Sequence, residues 1–430
     1  MKKLFLFLLL FMPFFISAAE IKNIEVQTSR MSPEVLKKHF ALKEGDIFDK
    51  ATYEKAKQDL QELPFFKTLD FLYKEKKDGV DIHIKAEDKV YLLPMFFAFS
   101  STKRSGGISL LSGNLFKQGE EASVSLDISE DGFYAKSGVS FAKNSFLLSY
   151  SHLDFDQRFY KNGWISTPGI FTAADKNSNA LLLRQVRTKH RVLYFTFTQK
   201  ISSLWSFALT PEYEYYNYNS SVLDSGNHSH FSFALQYANG VSPEIDMQAL
   251  TEIHRRDKER LLKVLPHIKT GQTVNLSYTL GGSWFGSDYD IKKLSLSGAY
   301  LLEFKKHHRL AFFAKTEYAF KAPFSDKIKS SDLLFGLGIY DREQIGKSGF
   351  SAGTSFTYFL VNNQTGVLSF MPFYEQAYVK SEGNSFISHG GIGALLSYCL
   401  WKIPFPLSIN YTKNLNDKSH HLGFKIGGHF

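Results

Sequence analysis

Few residues in this chain have the types and spacing that chemistry needs. Gly349-Phe350-Ser351-Ala352-Gly353 has the G-x-S-x-G spacing of a nucleophile elbow, where a serine sits on a sharp turn between a strand and a helix. Here the residues that follow keep alternating. Phe356, Tyr358 and Leu360 oppose Ser351, Gly353, Ser355 and Thr357, so the serine falls inside a strand and an esterase is not expected. His228 and His230, His307-His308, and His420-His421 are pairs beside turn residues. A metal would need further ligands from elsewhere, and solvated strand ends are the expectation. Cys399 is the single cysteine, which excludes an intrachain disulfide and any cysteine-built zinc or iron–sulfur centre. In Ser397-Tyr398-Cys399-Leu400-Trp401 it reads as a small apolar strand residue. No catalytic residue, no metal ligand and no cofactor is expected.

The elements that hold these residues are β rather than helical. The chain has 430 residues, 43% apolar and 16% aromatic, with mean hydropathy −0.20. A bundle of membrane helices needs several apolar runs of about 20 residues. Only residues 4–16 form a long apolar run, and it is short and terminal. Lys2 and Lys3 precede it, and Ser17, Ala18 and Ala19 follow, the pattern of a secretory signal peptide over 1–19. No cysteine follows the expected cut, so no lipoprotein anchor is expected. The net charge of +9 is spread along the chain, which fits solvated strand faces and loops and not a nucleic-acid patch.

Residues 20–89 read as a small α+β domain. Ile21, Ile24 and Val26 begin a strand. Ser32-Pro33-Glu34 starts a helix, with a capping hydroxyl, a proline in the first turn and an acid at the positive end of the dipole. Val35, Leu36 and Phe40 give it an apolar face. Asp49 caps a second helix, with Tyr53, Ala56, Leu60 and Leu63 on one side and Pro64 ending it. A strand from 65 to 73, an Asp78-Gly79 turn, and alternating Val80, Ile82, Ile84 and Ala86 complete the order β-α-α-β-β. The predicted core is Val26, Phe40, Leu60 and Ile82.

The segments "IKNIEV", "LKEGDIFDKATYEKAKQDLQELPFF" and "GVDIHIKAEDK" resemble a polypeptide-transport-associated (POTRA) domain. The Gly45-Asp46 after the first helix and the Leu-x-x-x-Phe-Phe after the second carry the match.

From 90 to 430, segments of about 10 residues alternate between turn signals, as transmembrane β-strands do. In 121–128, Ala122, Val124, Leu126 and Ile128 oppose Glu121, Ser123, Ser125 and Asp127. In 272–280, Val274, Leu276, Tyr278 and Leu280 oppose Thr273, Asn275, Ser277 and Thr279. In 231–237, Phe231, Phe233, Leu235 and Tyr237 oppose Ser232, Ala234 and Gln236. A soluble sandwich shares this period, with the apolar face turned inward. The export signal, the strand length and the many Tyr and Phe near strand ends favour a transmembrane barrel, which must close because lipid leaves no partner for an open edge. The clearest strands are 272–286, 290–304, 308–321, 349–360, 366–379, 388–399, 404–413 and 419–430. Residues 158–177, 241–268 and 322–348 read as long connections, the last unusual enough to suspect function.

"SLLSGNLFKQGEEASVSLDIS" (109–129), "GIGALLSY" (391–398) and "HLGFKIGGHF" (421–430) are similar to signatures of the outer-membrane assembly and translocation superfamily. Its members include the barrel-assembly insertase, its translocation-and-assembly relative, two-partner secretion transporters and bacterial surface antigens. The resemblance implies an antiparallel barrel of about 16 strands behind the POTRA-like domain, with a weak seam between first and last strands. It implies a terminal insertion signal at Phe424, Ile426 and Phe430. It also implies a lumenal loop carrying an arginine, then glycine and an aromatic. Its counterpart is "GLGIYDRE", with Gly336, Leu337, Gly338, Tyr340, Asp341 and Arg342. Leu337 stands where that arginine would be, and Gly428 stands where the terminal signal usually has an apolar residue.

The functional expectation is non-enzymatic insertion or translocation of polypeptides at the outer membrane of a Gram-negative-type cell, with the POTRA-like domain in the periplasm. The partners would be outer-membrane lipid, unfolded or extended client polypeptides and periplasmic accessory proteins. No nucleic acid is expected. The alternative is a passive channel or structural outer-membrane protein.

Overall fold

The computed structural model describes residues 19–61, 66–88, 91–101, 103–141, 143–168, 182–220, 223–239, 271–304, 308–362, 366–381, 385–400 and 403–426. The leader up to residue 18, the connection 241–268, His307 and Phe430 lie outside the described residues, as does the side chain of Cys399. The described residues form two compact units, one reaching Tyr91 and including Gly113–Glu120, the other holding the rest.

In the first unit, strand Ile21–Thr28 pairs parallel with Gly79–Asp88, which pairs antiparallel with Phe66–Lys76. Helices Pro33–His39 and Lys50–Gln61 lie between them in sequence, giving the predicted β-α-α-β-β order. Alternation along the central strand sends Val80, Ile82, Ile84 and Ala86 into one cluster with Val26, Leu36, Phe40, Tyr53 and Leu60. Asp49 caps the second helix, its carboxylate accepting the Thr52 N–H at 2.8 Å. Ser32 departs from expectation. Its hydroxyl donates to Glu34 at 2.7 Å and caps no helical amide. The Asp88 carboxylate accepts the N–H groups of Ser29, Arg30 and Met31 and the Asn114 side-chain amide. Burial pushes this carboxyl up, but those donors outweigh it and hold it below the usual carboxylate range.

The second unit is a closed antiparallel barrel of 16 long strands, from Tyr91–Ser100 to His420–Ile426, each bonded to its neighbour and the last to the first. Strand ends follow the pairing partner more than composition. Strand Asn144–Tyr160 runs into the expected 158–177 loop because Phe159 and Tyr160 pair with Arg184 and Leu182. Short pieces supplement the wall, including Trp164–Ser166 and Arg342–Gly346.

Val124, Leu126, Ile128, Leu276, Tyr300, Tyr318, Tyr358, Leu407 and Phe424 all remain exposed on the outer face. The opposite positions, such as Asp127, Ser149, Thr188, Ser351, Glu375 and Thr412, are buried and polar. A soluble sandwich hides its apolar face, so this inversion marks the outer surface as a lipid-facing one. Among the described residues no helix is long and apolar enough to cross a membrane.

Candidate functional site: the seam and the lumenal connection

Among the described residues the last strand meets the first through three register pairs, Phe424 with Ser100, Lys425 with Phe99, and Ile426 with Ala98. The fifth and sixth strands, Asn144–Tyr160 and Leu182–Lys200, share seventeen. Phe424 and Ile426 of the expected insertion signal face outward at this seam and are exposed.

Residues 322–347 leave the eleventh strand, His308–Lys321, and return along the inner wall before the twelfth, Ser348–Asn362. Ile328, Leu333, Leu334 and Tyr340 of this connection pack with Ala319, Ala377 and Val379. Its tip turns at Gly336, whose φ of +68° lies in the left-handed region that favours glycine. Beyond the turn, one wall carboxylate gathers the tip. Glu375, on the thirteenth strand Gly366–Lys380, accepts the Phe335 N–H at 2.9 Å, the Gly338 N–H at 2.6 Å and the Tyr340 hydroxyl at 3.0 Å. Thr412 accepts the Ile339 N–H at 3.0 Å, and Asn410 donates to the Leu337 carbonyl at 2.9 Å. The position where the family resemblance places an arginine therefore contributes backbone. Amides and a phenol satisfy the buried acid without a guanidinium.

Arg342 serves elsewhere. It pairs with Asp417 in the turn before the last strand and lies 3.8 Å from Asp341. Its guanidinium stands over Tyr160 at 5.4 Å and Trp164 at 6.0 Å. Arg342, Glu343 and Gln344 also pair as a strand with Ser166, Ile165 and Trp164. Ser330, which accepts the Gln344 N–H at 2.8 Å, lies 2.6 Å from Nδ1 of wall residue His389. Ser351 of the G-x-S-x-G sequence sits on a strand and donates to the Leu333 carbonyl at 2.7 Å, so it is a tether for the connection.

The tip reaches the seam. Ile339 is buried against Phe99 of the first strand. It also lies over Gly423 of the last, where an added Cβ would come within 2.4 Å of Ile339 Cδ1 and 3.1 Å of the Phe99 ring. Gly423→Val is therefore expected to overpack this point, at a cost of about 1–3 kcal/mol. It should lower the temperature at which the folded band is lost in SDS gels. An unchanged transition would show that Ile339 moves aside freely.

Sequence reasoning found the connection but not Glu375, Thr412, Asp417 or Ile339. Glu375 had a faint signal, as the lone acid in "SFMPFYEQAYVK". The histidines near 228 were misread. His228 and His230 are buried, not solvated, because the connection covers them through Asp326, which lies 2.5 Å from His228 Nδ1.

Residues 19–88 match the family model described as POTRA, surface antigen variable number repeat. No curated protein sequence matches the chain. In fold the chain is similar to BamA from Haemophilus ducreyi lacking POTRA domains 1–3, with TM-score 0.58 and 13% identity over 94% of this chain and 84% of that one. CdiB from Escherichia coli gives TM-score 0.63 and 12% identity over 96% and 77%. CdiB from Acinetobacter baumannii gives 0.57 and 13% over 95% and 74%. The chain thus joins a segment that matches the POTRA family model to a closed 16-stranded antiparallel barrel, and it shares the fold of BamA and CdiB.

Proposed function

We propose that this protein inserts polypeptides into the outer membrane or moves them across it, without covalent chemistry. Residues 1–19 would be the export signal, 20–89 the periplasmic domain and 90–430 the barrel. The observation that carries this reading is the lumenal tip at the seam, where Ile339 touches Phe99 of the first strand and lies over Gly423 of the last. A seam that opens exposes two strand edges to which an extended client segment can add. The edges of the small sheet, Ile21–Thr28 and Phe66–Lys76, offer a second place for strand addition, since Gly79–Asp88 occupies the centre. Outer-membrane lipid would solvate the outer face, and extended clients and periplasmic accessory proteins would be the partners.

A disulfide across the seam tests the proposal. Ala98→Cys with Ile426→Cys, at paired positions and in a Cys399→Ser background, should handle clients while reduced, at whatever level it assembles, and lose that handling once oxidised. The readout is the outer-membrane and secreted proteome under oxidising and reducing conditions. An unchanged proteome with the seam locked would favour the passive channel.

A further inference from the structure

Halfway round the strand order from the seam, six ionisable side chains from four segments meet inside the barrel. His190 comes from the sixth strand, and Glu212 and Glu214 from the seventh, Trp205–Tyr218. His228 and His230 stand at the start of the eighth, His230–Asn239, and Asp326 comes from the lumenal connection. One ligand atom each from Glu214, His230 and Asp326 lie within 4.8 Å of one another. All three residues are more than nine-tenths buried, at 8%, 6% and 4% exposure.

The histidine is set up as a ligand. His230 Nδ1 lies 2.9 Å from the His228 carbonyl, so that nitrogen carries the proton and donates. Nε2 faces the carboxylates, with Glu212 at 3.5 Å, and is the nitrogen that would give up a proton to bind a metal. A backbone carbonyl that fixes one imidazole nitrogen and frees the other is the usual support of a metal-binding histidine. The carboxylates are oriented as well. Glu214 is 2.7 Å from His190 Nε2, and Asp326 is 2.5 Å from His228 Nδ1. Three carboxylates converge here, and the nearest ammonium, Lys293, stands 3.8 Å from Asp326. Buried carboxylates this close together call for positive charge, which Lys293 and the imidazoles supply in part and a divalent cation would complete.

We propose that Glu214, His230 and Asp326 form a zinc site. One imidazole nitrogen and two carboxylate oxygens form a zinc donor set, and a set of three protein ligands leaves a fourth position for water. Since Asp326 belongs to the connection while the other ligands belong to the wall, zinc fastens the connection inside the lumen. The site does not depend on how clients are handled.

The test uses the full chain, folded in detergent, stripped with a chelator and re-equilibrated with zinc chloride. Elemental analysis should find one zinc per chain, and zinc should raise the temperature at which the folded band is lost. Asp326→Asn and His230→Gln should each weaken zinc by more than about tenfold. Cobalt(II) bound to the wild-type chain should show the intense visible bands of a tetrahedral nitrogen–oxygen site, a readout that survives if the variants fail to fold. No zinc retained by the wild type, equal zinc in either folded variant, or a cobalt spectrum like that of the hydrated ion would each overturn the site. The six groups would then be a network of histidine–carboxylate pairs.

Discussion

Arg342→Ala is expected to loosen the lumenal connection by about 3–5 kcal/mol, the range for removing one member of a buried ion pair. The magnitude follows from what is left behind. Arg342 and Asp341 are 5% and 3% exposed, and Asp417 is bound in its turn by the Ser419 N–H and hydroxyl. Removing the guanidinium leaves Asp341 without its nearest cation and Tyr160 and Trp164 without the group that covers them. The barrel should still form, because the pairing among its sixteen long strands does not involve Arg342. Its folded band should vanish at lower temperature in SDS, and client handling should fall. Arg342→Lys should recover only part of the loss, since an ammonium keeps the charge but not the planar fork and stacking. A shift within about 0.5 kcal/mol, as for an ordinary surface substitution, would take Arg342 out of the mechanism.

The second large effect is expected at the centre of the small domain. Ile82→Asp should unfold residues 20–89 while the barrel stays folded. Ile82 is fully buried on the central strand, opposite Ile24 on one side and Tyr73 on the other. The change removes a buried aliphatic side chain and places a carboxylate among Leu36, Leu60 and Ile84, with a penalty of several kcal/mol. A domain of this size has about 3–5 kcal/mol to lose. Limited proteolysis of the full chain should then cut within 20–89 and spare a heat-modifiable barrel. Equal protease resistance in both proteins would show that the cluster tolerates charge.

Some of this was legible in the sequence, and the reason lies in locality. Val124, Leu126 and Ile128 alternate with Ser125 and Asp127, and two-residue periodicity against lipid needs no distant partner to be read. The order of the small domain was readable for the same reason, through the Asp49 cap and the alternation from Val80 to Ala86. The length of 322–348 marked it as unusual, but its path was not readable. Glu375 lies 37 residues from Gly338, whose amide it accepts, and Thr412 lies 73 from Ile339. Such contacts depend on barrel closure and strand stagger, which no short window carries. Ile339, Phe99 and Gly423 meet only because the chain's two ends meet. The Ser32 error has the opposite origin. A cap was read from residue type, but the Ser32 oxygen accepts no helical N–H, and its hydroxyl is turned to donate to Glu34.

The tethered connection also has an electrical consequence. Ile328, Leu333, Leu334 and Tyr340 pack on Ala319, Ala377 and Val379 and so place an apolar plug inside the barrel. Ions shed water reluctantly, and an apolar constriction blocks current by dewetting even where the walls leave room. A single molecule in a planar bilayer is then expected to conduct little current, which single-channel recording would check. Its brief conducting bursts would record departures of the connection from Glu375, and so report on the seam through the Ile339 contact.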